Sequence, residues 1–403
     1  MTTVTASLLI ENSIEKQREV YIKTSHEIHE NPEIGNQEVF ASFKLIALLE
    51  AAGFSVRKDI AGHATGFIAE KRRDSGPTVA FLAEYDALPG LGHACGHNII
   101  GTTSVAAAIA LGEQLEETGG RVVVLGTPAE EGGDNGSAKG SFVREGFLEG
   151  VDAALIIHPA NQTSSSSPSL AVDPVDYVFH GKPAHAAGAP EQGVNALDAV
   201  IQLFNGINAL RQHLTDDVRI HGIIPDGGEA PNIVPEYARA RFYIRANTRP
   251  KTDVVREKVN RIAQGAALAT GATLDIVEFQ NKVDDLVLND TLNDVFKEVF
   301  QELGEDIQEK RGTGIGSTDT GNISQVVPTI HPYIKIGPQE IVPHTVPFRE
   351  AAASEKGDQA LLTGAKGLAQ IGYRLLTEPA ILERAKAELQ ERKRQAEKLV
   401  QTL

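Results

Sequence analysis

The chain has 403 residues, a formal net charge of −16, 41% hydrophobic residues and 23% charged residues. This composition is typical of a globular protein in water, and the length predicts two domains. The acidic balance argues against binding to nucleic acid or to an anionic membrane surface. No apolar run in the sequence approaches the roughly 18 residues that a membrane span requires.

The first residues and the single cysteine bear on where the protein works. Residues 1–10 lack the basic segment and long apolar run of a secretory signal, so none is expected. Cys95 is the only cysteine, which excludes an internal disulfide and is typical of a reducing compartment. We therefore expect a cytoplasmic protein.

Helical and strand patterns alternate in the first part of the chain. Apolar runs typical of buried strands alternate with periodic or small-residue segments typical of helices. This alternation predicts an α/β fold with a mostly parallel sheet. The predicted helices are 14–30, 37–52 and 99–117, and the predicted strands are 64–70, 78–83, 121–126 and 153–158.

Three of these strands are followed directly by side chains that can bind a metal ion. Each side chain alone has an ordinary explanation as a buried cysteine, a solvated loop carboxylate or a polar strand end. Because the carboxyl ends of parallel strands share one edge of a sheet, their convergence predicts a metal site there. A cysteine nucleophile with a histidine base is a second interpretation. The residues concerned are Asp86, Cys95, His97, Glu130, Glu131 and His158.

A serine-rich segment, 161–169, separates this part from a region of different character and is a plausible hinge. Residues 237–246 alternate strictly, and Arg239, Arg241 and Arg245 share one face, which we interpret as a solvated sheet surface. The pattern of the region predicts a small α+β domain. Its predicted strands are 175–181, 219–224 and 237–246, and its predicted helices are 194–213 and 252–269.

The last part of the chain returns to the first pattern. Its glycine-rich segment 312–316 lacks the preceding strand and the spacing of a dinucleotide-binding loop. His344 lies in a predicted loop. Helices are predicted at 291–303, 354–377 and 379–403, and a strand at 329–337.

Several sequence blocks together resemble the aminoacylase/carnosinase-type metallopeptidases of family M20. They are 26–33, the His-Ala-Cys-Gly-His-Asn block 93–98, the 316–322 block Gly-Ser-Thr-Asp-Thr-Gly-Asn, and His344-Thr345. Within the family, the second and third blocks are similar to the branch of aminoacylase-like-two dipeptidases and the p-aminobenzoyl-glutamate hydrolase subunit.

The resemblance implies a domain organisation and an activity. It implies a di-metal catalytic domain formed by residues 1–173 and 286–403, interrupted by a smaller α+β lid and dimerisation domain at 174–285. The implied reaction is metal-dependent hydrolysis of an amide bond in a dipeptide or an N-acyl or N-aroyl amino acid. The implied partners are this small-molecule substrate and a second copy of the chain, joined through the lid.

The resemblance also implies roles for individual residues. The metal ligands would be Cys95, His97, Glu131, His158 and His344, and Glu130 would be the general base. Asp86 would lie behind the metals, and His185 of the lid would reach a substrate carbonyl, often in the partner subunit. Asn232 matches a lid residue near the substrate carboxylate, and Arg245 is a further candidate for that carboxylate.

One position departs from the pattern of other branches. Glu84 and Asp86 stand where those branches have His-x-Asp, so that histidine ligand is missing. In the resembling branch the Cys95-x-His97 pair makes up for this loss. The mixed sulfur, nitrogen and oxygen donors suit two zinc or manganese ions, with cobalt as a further candidate.

Two other functions remain open at this level. One is a hydrolase that uses Cys95 as its nucleophile, which leaves His158 and the Glu130-Glu131 pair without a role. The other is a non-catalytic binding protein on the same fold, which the presence of Glu130 disfavours. Treatment with a chelator distinguishes the three functions. A metal-dependent hydrolase loses its activity, a thiol hydrolase keeps it, and a binding protein has no turnover in either case.

Overall fold

The computed structural model describes residues 3–308 and 316–400, and most of the glycine-rich segment 312–316 lies outside them. The chain divides into two compact units. Unit 1 contains the described residues of 1–168, 286–315 and 319–395, and unit 2 contains those of 169–285, 316–318 and 396–403.

The first part of unit 1 alternates helices and strands, as predicted. The predicted helix 14–30 is divided, because one helix ends at Lys16 and the next begins at Arg18. The predicted strand 153–158 is also divided into two short strands. The elements are α1 (Thr3–Lys16), α2 (Arg18–Glu30), α3 (Val39–Ala51), β1 (Ser55–Ile60), β2 (His63–Arg73), β3 (Thr78–Ala83), α4 (His97–Gly112), α5 (Leu115–Thr118), β4 (Gly120–Gly126), α6 (Ala138–Arg144), β5 (Ala153–Leu155) and β6 (His158–Ala160).

Unit 2 begins with β7 (Ala171–His180), α7 (Ala196–Leu210), β8 (Arg219–Asp226) and β9 (Tyr237–Ala246). It continues with α8 (Arg249–Thr270) and β10 (Thr273–Val277), a strand that the sequence patterns did not predict. Its strands pair antiparallel in the order β10-β7-β9-β8. Val175, Phe242 and Ile244 of the sheet pack with apolar residues of α7 and α8, so the helices cover one face.

The chain then returns to unit 1, where the predicted strand 329–337 is again two short strands. The elements are α9 (Asp290–Glu302), α10 (Thr320–Ser324), β11 (Thr329–Ile330), β12 (Tyr333–Lys335), α11 (Val346–Ala351), α12 (Glu355–Thr377) and α13 (Pro379–Val400). None of the helices in the described part of the chain has the length and apolar character needed to cross a membrane.

The main sheet of unit 1 has six strands among the described residues, in the order β1-β2-β4-β3-β5-β11. The pairs β4–β3, β3–β5 and β5–β11 are parallel, and β1 and β2 add an antiparallel margin. The prediction of an α/β fold with a mostly parallel sheet is therefore confirmed. All six residues of β3 are buried, in agreement with its continuous apolar run.

The parallel strands bring their carboxyl ends to one edge of the sheet, and this edge positions the candidate site. β3 ends at Ala83, β4 at Gly126, β5 at Leu155 and β11 at Ile330. α4 lies close to this edge, because a Cβ on Gly101 would be 2.7 Å from the carbonyl oxygen of Glu84. A larger residue at this position of α4 would push the helix away from the strand end.

Candidate active site

Asp86 fixes the orientation of His97 at the end of β3. The Asp86 Oδ1 atom lies 2.9 Å from His97 Nδ1, and both side chains are buried. Asp86 Oδ2 accepts a hydrogen bond of 2.9 Å from the backbone N–H of Glu131. Because Nδ1 faces Asp86, Nε2 is the ring nitrogen on the other side; among the described residues it forms no hydrogen bond, and it lies 3.5 Å from Glu84 Oε2. A carboxylate behind a ligating imidazole is a common arrangement in metal sites.

Cys95 precedes α4 and faces the end of the neighbouring strand. Its Sγ lies 3.4 Å from Nε2 of His158, whose Nδ1 lies 2.7 Å from the carbonyl oxygen of Pro159. The intervening Gly96 adopts φ +77°, and a Cβ there would lie 2.8 Å from Pro159. Only glycine combines this backbone conformation with this close approach, so Gly96 allows Cys95 and His97 to face the same side.

Glu130 and Glu131 follow β4 through a strained turn. Ala129 adopts φ 58°, an uncommon conformation for a residue other than glycine. Its N–H donates to Glu38 Oε1 at 2.9 Å, and its carbonyl accepts from the N–H of Ser137 at 2.7 Å. These two hydrogen bonds stabilise the turn and thereby position the backbone from which the Glu130 and Glu131 side chains extend. Strained backbone held in this way is frequent at functional sites.

His344 reaches the same place from the loop after β12. It also has a positive φ, 65°, and its N–H donates to the carbonyl oxygen of Ala94 at 2.9 Å. Its Nε2 lies 3.4 Å from Glu131 Oε1. The loop is therefore anchored beside Cys95, and the imidazole faces Glu131.

The donor atoms form overlapping groups whose members all lie within 4.8 Å of one another. One group is Cys95, His97 and His158, and another is Cys95, Glu131 and His344. Cys95 belongs to both. Such sets of thiol, imidazole and carboxylate donors fit divalent transition metals, and Nε2 of buried His97, which forms no hydrogen bond among the described residues, is one donor that a metal would satisfy.

The electrostatics differ between the cysteine and the histidine. Burial raises the pKa of the Cys95 thiol above its ordinary range, and the nearby Glu131 carboxylate adds to this effect. Burial alone would lower the pKa of His97, but Asp86 and Cys95 outweigh it, so the pKa lies well above its usual value. An isolated Cys95 is therefore a poor thiolate, and a cation beside it would be needed to remove its proton.

This environment leads to a testable difference between a ligand and a nucleophile. In metal-free native protein, iodoacetamide is expected to alkylate Cys95 about tenfold more slowly than in urea-unfolded chain, because the thiol is buried and its pKa is raised. Mass spectrometry of the labelled peptide over time measures both rates. Faster labelling in the native protein would support an activated nucleophile instead.

The structure adds residues that the sequence analysis did not assign. Lys139 of α6 is buried, and its Nζ lies 2.7 Å from Glu84 Oε1 and 2.5 Å from Asp319 Oδ1. Lys139 follows the glycine-rich stretch 132–136, and no local pattern in the sequence there predicts its burial. Asp319 does lie in the 316–322 block that the resemblance singled out. Its pairing with Lys139 was the part that the sequence did not predict.

The predicted lid residues lie in unit 2, and two of them are neighbours there. His185 pairs with Ile233 in an antiparallel bridge, and the N–H of Ala186 donates to the carbonyl of Asn232 at 3.0 Å. His185 Nδ1 accepts from the N–H groups of Ala187 and Gly188 at 3.2 and 3.0 Å. The ring proton is thereby assigned to Nε2, on an exposed side chain.

The helix after this loop has its own cap. Asn195 Oδ1 accepts from the backbone N–H groups of Leu197 and Asp198 at the start of α7. His185 is therefore not the residue that caps this helix.

Arg245 lies near the carboxyl end of β9, whereas Asn232 precedes the amino end of that strand. Arg245 lies eight residues beyond Tyr237 along β9, a separation of about 27 Å in an extended strand. Its Nη1 donates to Ser317 Oγ at 2.9 Å, and its guanidinium lies over the Tyr243 ring. Arg239 and Arg241, on the same sheet face, are paired with Asp176 and are only partly exposed.

Comparison with known proteins identifies the class to which this fold and this donor set belong. The model of peptidase family M20/M25/M40 matches residues 80–371, and the chain belongs to this family. A Xaa-Arg dipeptidase of Mus musculus is 38% identical, over 94% of this chain and 90% of that protein. One of the p-aminobenzoyl-glutamate hydrolase subunits of Escherichia coli is 37% identical, over 66% of this chain and 59% of that protein.

Solved structures share the fold. A dinuclear metal-binding peptidase of family M20 from Bacillus subtilis matches with a TM-score of 0.64 and 21% identity, over 90% of this chain and 99% of that chain. An aminobenzoyl-glutamate utilization protein from Klebsiella pneumoniae matches with a TM-score of 0.71 and 18% identity, over 90% of this chain and 97% of that chain. The sequence-based assignment to the family is confirmed, and the chain is a hydrolase of amide bonds.

Proposed function

We propose that this chain hydrolyses the amide bond of a dipeptide or of an N-acyl or N-aroyl amino acid and releases a free amino acid. The observation that carries the proposal is the meeting of thiol, imidazole and carboxylate donors around Cys95, with Glu130 beside them. The relatives named Xaa-Arg dipeptidase make dipeptides with a C-terminal arginine the first candidates. The p-aminobenzoyl-glutamate hydrolase relative makes aroyl amino acids the second.

The proposed cofactors are two divalent metal ions, as in the dinuclear peptidase that shares the fold. Cys95, His97 and His158 would hold one ion, and Glu131 and His344, also close to Cys95, would hold the other. Zinc and manganese suit these donors best, with cobalt as a further candidate. When bound, the ions would lower the pKa of a water molecule and polarise the substrate carbonyl.

Glu130 is the proposed general base. It would take a proton from the attacking water as the new C–O bond forms, and then give the proton to the leaving amine nitrogen as the C–N bond breaks. Burial and the neighbouring Glu84 and Asp319 carboxylates raise the pKa of Glu130 well above its usual value. A carboxylate with a raised pKa accepts a proton more readily, which supports this role. Asp86 would hold His97 in its ligating orientation.

His185 is proposed as a donor to the carbonyl oxygen of the substrate. Its Nδ1 already accepts two backbone hydrogen bonds, which leaves the Nε2–H free to donate to a developing oxyanion. Asn232, next to it, is proposed to bind the substrate carboxylate. Arg245 is a second candidate for binding that carboxylate. Its position near the carboxyl end of β9, away from Asn232 along the chain, makes it the weaker candidate.

We further propose that the protein is a homodimer joined through unit 2, with His185 acting in the site of the partner subunit. β8 is one of the two edge strands of its sheet in the described part of the chain, and Ile223 and Ile224 on it are exposed. An unpaired edge with exposed isoleucines is suited to pairing with a second copy. The acidic net charge and the single cysteine support a cytoplasmic enzyme that binds neither nucleic acid nor membranes.

The distance between Cys95 Sγ and His158 Nε2, 3.4 Å, favours one alternative, a thiol hydrolase with His158 as its base. The raised pKa of the Cys95 thiol argues against it, and it assigns no role to Glu130 or Glu131. Membership of the peptidase family and the enzyme relatives set aside a non-catalytic binding protein.

The experiment is a screen of dipeptides and N-acyl or N-aroyl amino acids for amine release, with manganese and zinc compared. Treatment with a chelator is expected to lower the rate at least about 100-fold, and added metal is expected to restore it. Chelator-treated protein that has received magnesium, which prefers oxygen ligands, is the control. Turnover that survives complete removal of metal would contradict the proposal and favour the thiol mechanism.

A further inference from the structure

A fully buried lysine connects the end of β3 with the start of α10 behind the candidate site. The side chains of Lys139, Glu84 and Asp319 are each 0% exposed, and the Nζ atom contacts both carboxylates. The backbone N–H of Lys139 also donates to Asp319 Oδ2 at 3.2 Å. A buried ammonium is tolerated only when it is paired and hydrogen-bonded, so these three residues form one network.

Glu130 completes this network on the side of the metal donors. Oxygen atoms of Glu84, Glu130 and Asp319 all lie within 4.8 Å of one another, a spacing suited to oxygen ligands around a cation. Glu130 also belongs to a second group of the same spacing, with His97 and Glu131. Glu130 therefore lies between the proposed metal ligands and the cluster of Glu84 and Asp319 that contains the Lys139 ammonium.

The surrounding carboxylates keep the buried Lys139 side chain in its charged form. Burial alone would lower the pKa of Lys139, but Asp319, Glu84 and Glu130 outweigh it, and the pKa lies above its ordinary value. The second oxygen of Glu84, Oε2, is buried and forms no hydrogen bond among the described residues, and it lies 3.5 Å from Nε2 of His97. A cluster of this kind, without the ammonium, is a strong candidate to bind a divalent ion.

We propose that the Lys139 ammonium is a built-in cation that holds Glu84 and Asp319 behind Glu130 and keeps divalent ions out of the Glu84–Glu130–Asp319 cluster. An ion bound there would engage the Glu130 carboxylate as a ligand. Glu130 would then no longer be free to accept a proton. Lys139 is therefore a positioning residue, and the consequence for catalysis rests on the proposed function.

The test counts manganese ions bound per subunit by equilibrium dialysis. Lys139→Met removes the charge and keeps a side chain of similar length, and it is expected to bind one ion more than the parent protein. Lys139→Arg, which keeps the charge, is expected to retain the parent count. The double variant Lys139→Met/Asp319→Asn, which removes a carboxylate of the cluster, is expected to return to the parent count.

Activity provides a second readout. Because the additional ion would engage Glu130, the rate of Lys139→Met is expected to fall at least tenfold as manganese is raised to fill that position, whereas the rate of the parent stays constant. The ion count is measured without substrate, so it tests the role of Lys139 even if the proposed hydrolysis is wrong. A failed substrate screen would likewise leave the ion count unaffected.

An unchanged ion count in folded Lys139→Met would overturn the proposal. If this variant does not fold, the parent protein still provides a test. Asp319→Asn is expected to bind as many ions as the parent protein. If this variant bound one ion fewer, the cluster of the parent would already hold a metal ion beside Lys139, and the proposal would be wrong. Circular dichroism and thermal unfolding establish that each variant is folded before its ions are counted.

Discussion

Replacing Glu130 with glutamine is expected to lower kcat by about 100- to 10,000-fold while the metal content stays that of the parent. An amide of the same shape cannot accept the proton of the attacking water. The ligand set around Cys95 does not require Glu130, so the ions should remain bound. Elemental analysis of the purified variant, together with its steady-state rate, measures both quantities.

The neighbouring carboxylate provides the matched control. Glu131→Gln is expected to lose metal as well as activity, because Glu131 Oε1 lies near both His97 and His344. The two adjacent residues should thus separate into a base and a ligand. Retention of more than about a tenth of the parental rate in Glu130→Gln would remove the general base from the mechanism.

The second large effect is a recovery of activity when two inactive proteins are mixed. If His185 acts in the partner's site, a hybrid dimer of His185→Ala and Glu130→Gln subunits contains one intact site. Random exchange makes about half of the dimers hybrids, so the mixture should regain about a quarter of parental activity per subunit. Amine release before and after subunit exchange measures this recovery.

The control mixture combines Glu130→Gln with Glu131→Gln. Both changes fall on the same half of the proposed composite site, so each hybrid dimer has two defective sites and no recovery is expected. Native mass spectrometry of differently tagged subunits verifies exchange and also tests the proposed dimer. Absence of recovery in the first mixture, despite verified exchange, would assign His185 to its own subunit or exclude it from catalysis.

Periodicity in the sequence determined the parts of the fold that depend on local pattern. The buried run of β3 and the strict alternation of β9 were predicted at the bounds that the structure has. Both patterns have a direct physical cause, since a strand buried on two faces is apolar throughout and a half-buried strand alternates. β10 was missed, because its residues are largely exposed and carry no such pattern.

The order of the strands also allowed the candidate site to be predicted in part. Because parallel strands end at one edge, residues 86, 95, 97, 130, 131 and 158 were expected together, and the structure brings them together with His344. Their distances and orientations depend on features that no pattern contains. These include the left-handed Ala129 and the bond between Asp86 and His97.

Only the tertiary structure revealed the network around Lys139. Glu84 and Asp319 are 235 residues apart in the numbering, and the lysine between them comes from a third segment. A sequence records which residues are charged but not which of them lose their water, and that loss decides their partners. Burial is settled by the packing of the whole unit, so this part of the site depended on the folded chain.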